Sequence, residues 1–312
     1  MELIRGLEAL SEPDGPSVVT VGFFDGVHLG HQAVLRRAVE EGAARGVRSV
    51  AVTFDRHPRE ILSPGREPRL LTSVERRAEV IEAIGIDDLL VLEFTEELSR
   101  WPADVFIARV LRDGVRAQHC VVGANFTFGF KAAGTVEMLI EVGPAHGFTA
   151  ERVELVHLGE RRVSSSSIRE ALVEGDLAWP ERALGRRFVL DGMVVRGAGR
   201  GTGLGWPTAN LRALPRLLLP GRGVYAAVAR VPGSTHMAAV NVGTNPTFGQ
   251  EPLHVESFLL DFEGDLLGEP MAIEFWARLR DEERFDTSED LSEAIAEDVR
   301  RTRALVPIPV TN

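Results

Sequence analysis

The first half of the chain alternates short apolar runs with amphipathic stretches. Val18–Phe23, Ser49–Phe54, Leu89–Phe94 and His119–Gly123 are rich in Val, Leu and Phe, the pattern of parallel strands covered on both faces. After the first run, Leu35, Ala38, Val39 and Gly42 fall at i, i+3, i+4 and i+7, the stripe of a helix lying on a sheet. A second helix is signalled by a capping box, Thr72 with Glu75, ahead of Val74, Ala78 and Ile81. This alternation predicts a doubly wound parallel α/β sheet, with ligands at the C-terminal ends of its strands.

The rhythm changes near Leu184-Gly185-Arg186. Beyond it lie runs at Phe188–Val195, Gly223–Arg230, Met237–Val242, His254–Phe262 and Met271–Leu279, with Gly, Pro or Asn in the gaps. They predict a small antiparallel β-barrel. A terminal helix opens on another capping box, Thr287 with Asp290, and carries Leu291, Ala294, Ile295 and Val299 on one face. With 312 residues, the chain is expected to form two domains, 1–182 and 183–312.

Composition narrows the chemistry. A net charge of -11 argues against nucleic acid as the main partner. No apolar run approaches the ~20 residues of a membrane helix. Met1-Glu2-Leu3-Ile4-Arg5 lacks the basic start and apolar core of a signal peptide, and Cys120 has no second cysteine to pair with, so a cytoplasmic location without a membrane partner is expected. Self-association is left open. The only lysine, Lys131, follows Phe130, whereas a P-loop requires Gly-Lys-Ser/Thr. Nucleotide chemistry here falls to arginine, histidine, backbone N–H groups and a metal.

Two clusters carry candidate chemistry. In Gly22-Phe23-Phe24-Asp25-Gly26-Val27-His28-Leu29-Gly30-His31, a strand feeds a glycine-bearing turn and then a helix. Such a helix start aims N–H groups and the positive dipole end at a phosphate. Gly22, Gly26 and Gly30 are expected to let backbone approach the ligand, and His28 and His31 to donate to charge developing on a phosphoryl group. Two histidines three apart also suit a metal, but no Cys, Asp or Glu joins them at ligand spacing. Ser164-Ser165-Ser166-Ser167-Ile168-Arg169 adds hydroxyls at another helix start and a forked cation at Arg169. Both segments carry the spacing of the HxGH nucleotidyltransferase superfamily. Gly123–Gly129, with Asn125 and Phe128, is either a plain loop or a strand end that holds a flat aromatic ligand.

The second cluster runs from Gly197 through Pro207-Thr208-Ala209-Asn210. Its glycines can lie against phosphates, and the oxygens of Thr208 and Asn210 are hard donors suited to Mg²⁺. Glu256 shares strand parity with Phe258, Leu260 and Phe262. A carboxylate heading that apolar row suits a general base, and a strand-end Glu turned to solvent is the alternative.

Over nearly its whole length the chain resembles the prokaryotic bifunctional riboflavin kinase/FAD synthetase family. The resemblance is carried by Gly22–Gln32, Thr53–Pro58, Val121–Gly134, Ser164–Arg169, Gly205–Leu211, Asn241–Phe248, Val255-Glu256 and Arg278–Phe285. It implies phosphorylation of riboflavin to FMN with ATP, then adenylylation of FMN to FAD with release of pyrophosphate. It implies His28 and His31 as catalytic groups of the second step, beside Gly22, Phe24, Asp25, Gly26, Ser164 and Arg169 on the nucleotide. For the kinase it implies Glu256 as base, Thr208 and Asn210 on Mg²⁺, and Gly199, Arg200 and Gly201 on the nucleotide. Asn125, Phe128 and Arg280 are implied as flavin contacts. The chain departs from the family pattern at Arg56, Thr202-Gly203, Trp206 and Leu267. The departures near the kinase cluster leave a second expectation, an FMN adenylyltransferase whose other half only binds flavin.

Overall fold

The computed structural model describes residues 1–9, 15–197, 206–244 and 253–307. The expected contacts Gly199, Arg200 and Gly201, and the departure at Thr202, lie outside them. The chain forms two compact units, Met1–Leu70 with Val74–Ser165, and Leu71–Ser73 with Ser166–Asn312.

The first unit is built on a six-stranded sheet: β1 (Glu2–Arg5), β2 (Ser17–Val21), β3 (Arg48–Phe54), β4 (Asp88–Leu92), β5 (Ala117–Gly123) and β6 (Thr149–Val153). The strands run parallel in the order β1-β4-β3-β2-β5-β6. Val18, Ala51, Leu89, Val91 and Val121 face helices α1 (Leu29–Arg45) and α2 (Val74–Ile84), packing on Leu35, Ala38, Ala78 and Ile81. On the other face, Val19, Val21, Val50, Val52, Leu90 and Leu92 meet a helical stretch that starts at Ala103 and winds as a π-helix over Ile107–Gly114. With both faces covered, the strands read as continuous apolar runs, and each Val or Leu buried there contributes ~1.5–3 kcal/mol. Cys120 is one of these core residues, and burial pushes its thiol up to about 12, which makes it a packing group.

The order reverses between β2 and β5, because β3 and β4 are laid down on one side of β2 and β5 and β6 on the other. Doubly wound sheets bind ligands in the crevice at such a reversal, beyond the C-terminal ends of the strands. The loops leaving β2 and β5 there are the histidine-bearing turn and the Asn125–Phe128 segment.

Beyond Ser165, which closes the first unit and opens α3 (Ser165–Val173), the second unit holds the rest of that helix and α4 (Ala178–Leu184). Six antiparallel strands follow: β7 (Val189–Val195), β8 (Ala209–Ala213), β9 (Gly223–Val231), β10 (Ser234–Gly243), β11 (His254–Leu259) and β12 (Pro270–Arg280). They close into a barrel in the order β7-β8-β11-β10-β9-β12. β8 had no strand signal of its own, being short and next to the glycine-rich segment. The run expected to reach Phe262 stops at Leu259, and Asp261 takes a left-handed φ of 57°, so Phe262 leaves the row headed by Glu256.

Helix α5 (Ser288–Leu305) packs on β9, β10 and β12. Its start matches the expected cap: the Thr287 side chain accepts the Asp290 N–H at 3.1 Å. Thr287→Ala is expected to destabilise this unit by about 1 kcal/mol. Tryptophan fluorescence during urea unfolding checks it, because Trp179, Trp206 and Trp276 all belong to this unit. An unchanged midpoint would show that the cap adds nothing.

Candidate active sites

In the first unit, β2 continues into the ladder through Gly22, whose N–H bonds Val52 O at 3.0 Å. The chain then turns sharply. Phe24 and Val27 adopt left-handed conformations, φ 52° and 40°, as does Gly26 at 78°. Left-handed backbone is costly for a β-branched residue such as Val27, so the turn is held under strain. Three bonds brace it: Thr53 Oγ1 to Phe23 O at 3.1 Å, Gln32 Nε2 to Val27 O at 2.9 Å, and Ser165 Oγ to Asp25 O at 3.0 Å. The last brings Ser165 onto the turn across 140 residues of sequence.

His28 is the N-cap of α1. Its Nδ1 accepts the His31 N–H at 3.3 Å, which in the neutral ring leaves the proton on Nε2 as a donor. The two rings are stacked, with centroids 3.6 Å apart and planes at 16°, and the Phe24 ring meets His31 edge-on at 5.4 Å. The glycines also answer to local packing. A Cβ on Gly22 would lie 2.8 Å from the Phe24 ring, and one on Gly30 would lie 3.1 Å from His28. Those two glycines make room for rings, and Gly26 alone is required by its φ.

Behind the turn stands a residue that no motif marked. Arg77 is fully buried, and its guanidinium carbon lies 4.4 Å from the centroid of the Phe23 ring. Its Nη1 donates to Thr53 Oγ1 at 2.9 Å and to Phe54 O at 3.0 Å. Burial pushes its pKa down to about 10, while the charges of Asp25, Glu75 and Asp55 favour the cation, so it stays charged near neutral pH. The sequence carried a signal: Arg77 occupies the i+3 place in the apolar stripe Val74, Ala78, Ile81.

Of the other expected residues in this region, Ser164 lies immediately before α3 and Arg169 lies within that helix, among the residues of the second unit. Asn125 is exposed. Phe128 is not an open face, because its ring is buried against Phe106 and stacked on Phe126 at 5.5 Å. Phe126 is the more accessible ring of that pair.

In the second unit, β11 points His254, Glu256 and Phe258 outward and Val255, Ser257 and Leu259 inward. The outward row lines a cavity of about 1030 Å³, together with Trp206, Thr208, Asn241 and Arg280. Glu256 stands in register with Asn210 on one side and Asn241 on the other, so the carboxylate and the two amides are cross-strand neighbours. His254 Nε2 is 3.8 Å from Glu256 Oε1. The Asn210 amide fills the space that a side chain on Gly197 would need, which puts it against the start of the glycine-rich segment. Thr208 and Asn210 offer hydroxyl and amide oxygens beside the Glu256 carboxylate. That set suits Mg²⁺ sharing its remaining positions with phosphate, and it is too small for an all-protein metal cage. Among the described residues, no group of three His, Cys, Asp or Glu side chains is placed to hold a metal.

Arg280 borders the cavity, but its guanidinium forks onto buried Asp298 of α5, at 2.8 Å from Nη2 and 3.1 Å from Nε. Trp206 tethers its segment to the same helix through Nε1 to Ser292 Oγ at 3.0 Å, with its ring edge-on to Phe258 at 5.1 Å.

Comparison with known proteins agrees with this division. Residues 10–167 match the family model described as FAD synthetase, and residues 184–306 match the one described as riboflavin kinase. A protein of Pseudomonas fluorescens named bifunctional riboflavin kinase/FMN adenylyltransferase is 40% identical over 306 residues, 98% of each chain. A Bacillus subtilis protein of the same name is 34% identical over 294 residues, covering 93% of this chain and 92% of its own. The crystal structure of a Streptococcus pneumoniae protein, named there a macrolide-efflux protein, superposes with a TM-score of 0.87 at 29% identity, over 97% of this chain and 99% of that one. Among the described residues, no helix is long and apolar enough to cross a membrane.

Proposed function

The chain belongs to the bifunctional riboflavin kinase/FMN adenylyltransferase family, and from that premise we propose that it makes FMN from riboflavin and then FAD from FMN, using one ATP in each step. We set the functional boundary at residues 182/183. The observation that carries the adenylyl-transfer half is the stacked His28–His31 pair at the head of α1, within the crevice where the sheet reverses.

In the kinase step, Glu256 takes the proton of the ribityl 5′-hydroxyl as that oxygen attacks the γ-phosphorus, and ADP leaves. Thr208 and Asn210 would hold Mg²⁺, which would supply charge neutralisation to the phosphates of the nucleotide. Gly199, Arg200 and Gly201 bind the same nucleotide. Arg280 acts on the flavin side of the cavity by fixing α5 through Asp298. Phosphoryl transfer asks mainly for positioning and charge neutralisation, which this cavity wall supplies.

In the adenylylation step, a phosphate oxygen of FMN attacks the α-phosphorus of ATP. The new O–P bond forms as the bond to the β-phosphate bridging oxygen breaks, and pyrophosphate departs with that electron pair. The Nε2–H of His28, His31, Ser164 and Arg169 bear on the negative charge of the transferring group. Gly22, Phe24, Asp25 and Gly26 shape the turn that receives the phosphates. Asn125 contacts the flavin, and Phe128 supports that contact from the core beneath it. We place the chain in the cytoplasm, where ATP is at hand.

The test is a separation of flavin products from purified chain given riboflavin, ATP and Mg²⁺. FMN and FAD are both expected. Absence of both would sink the proposal, whereas FAD from supplied FMN without FMN from riboflavin would restrict the chain to adenylylation.

A further inference from the structure

Arg77 is hard to explain as packing. Its slot in the apolar stripe of α2 would accept a methionine, which would lie under Phe23 without burying a charge. Its Nε and Nη2 have no hydrogen-bond partner among the described residues, an arrangement that disfavours burial further. What the guanidinium does hold is specific. Nη1 reaches Thr53 Oγ1 and Phe54 O, the last residues of β3.

Arginine only donates, so the Thr53 hydroxyl must accept from it and turn its own proton to Phe23 O. The relay from Arg77 through Thr53 to Phe23 therefore has one polarity. Phe23 O is drawn toward β3. In a planar trans peptide the N–H points opposite the C=O, so the Phe24 N–H points away from β3. The same relay pins the strained turn that ends at His28. The groups facing Arg77 are Asp25 from the turn, Asp55 beyond β3 and Glu75 on its own helix.

We propose that Arg77 is a positioning residue for adenylyl transfer, acting through Thr53 to orient the Phe23–Phe24 peptide and the turn that carries His28. The inference rests on the adenylyltransferase reading above. It gives Arg77 no contact with substrate.

Full-length Arg77→Met, Thr53→Val and the double variant are assayed for FAD formed from FMN and ATP, and in parallel for FMN formed from riboflavin and ATP. A wild-type chain that makes no FAD defeats the adenylyltransferase reading itself, before any variant is compared. Each single substitution is expected to lower the adenylylation kcat by about tenfold or more, with KM for ATP moving by less than about threefold. The double variant is expected to be no slower than the slower single one, because both break one relay. The kinase rate should stay within about twofold, since it belongs to the other unit. Either single variant at the wild-type kcat, or two losses that multiply, overturns the proposal. If Arg77→Met also abolishes the kinase rate by unfolding the chain, Thr53→Val decides alone. A wild-type adenylylation kcat in that variant overturns the proposal, and a tenfold loss with the kinase intact upholds it.

Discussion

Replacing His28 with alanine is expected to lower FAD formation from FMN by about a hundredfold or more, while riboflavin phosphorylation by the same chain persists. The substitution removes the Nε2–H donor and the ring stacked at 3.6 Å on His31. It also removes the acceptor for the His31 N–H, a helix cap worth about 1 kcal/mol. That is small beside the core on both faces of the sheet, so the first unit should remain folded. The loss then belongs to the transition state, where one preorganised donor is worth about 10²–10³ in rate. His28→Asn separates the two contributions. Asparagine is a good N-cap but places no ring on His31, so it should restore stability without restoring rate. Stopped-time flavin chromatography reads both reactions from one preparation. Equal loss of both activities in a folded chain would contradict a separate adenylylation site.

Glu256→Gln is expected to give the converse result, lowering FMN formation from riboflavin by about 10²–10⁴ while FAD formation from supplied FMN continues. Glutamine has the same shape, and its neighbours in the register, Asn210 and Asn241, can bond an amide as well as a carboxylate. Glu256 faces outward on β11 and is only partly buried, so folding should be unaffected. What disappears is the group able to take the hydroxyl proton. His254, 3.8 Å away, is a candidate to substitute for it, and combining His254→Gln with Glu256→Gln would expose any residual rate that it supplies. An unchanged kinase rate in Glu256→Gln would remove Glu256 as the base.

Much of the fold was legible because periodicity reports burial. The Leu35, Ala38, Val39, Gly42 stripe lies on the sheet as expected, and four of the apolar runs correspond to β2, β3, β4 and β5. The histidine pair and the serine segment were legible as well, since both occupy helix starts that a spacing rule can find. Periodicity is silent about partners, however. Arg77 looked like an exception on an apolar face, and only its bonds to Thr53 and Phe54 explain it. Gly22 and Gly30 also make room for the rings of Phe24 and His28, which spacing alone does not show. Phe128 and Arg280 illustrate the same limit. Each stands near its expected place, with its side chain committed to a core ring or to Asp298.

The closed barrel bears on how copies of this chain can meet. A barrel has no unpaired strand, so it offers no template for strand addition by another chain. The parallel sheet does end in two free margins, β1 and β6, each bonded to a single neighbour. Both are short, and they carry Glu2, Arg5, Glu151 and Arg152, charges that discourage backbone pairing with a stranger. For the six-stranded sheet and the barrel, assembly by sheet continuation is therefore opposed. Association of folded copies through those two sheets is left to side-chain surfaces, where single substitutions can tune it without touching the backbone ladders.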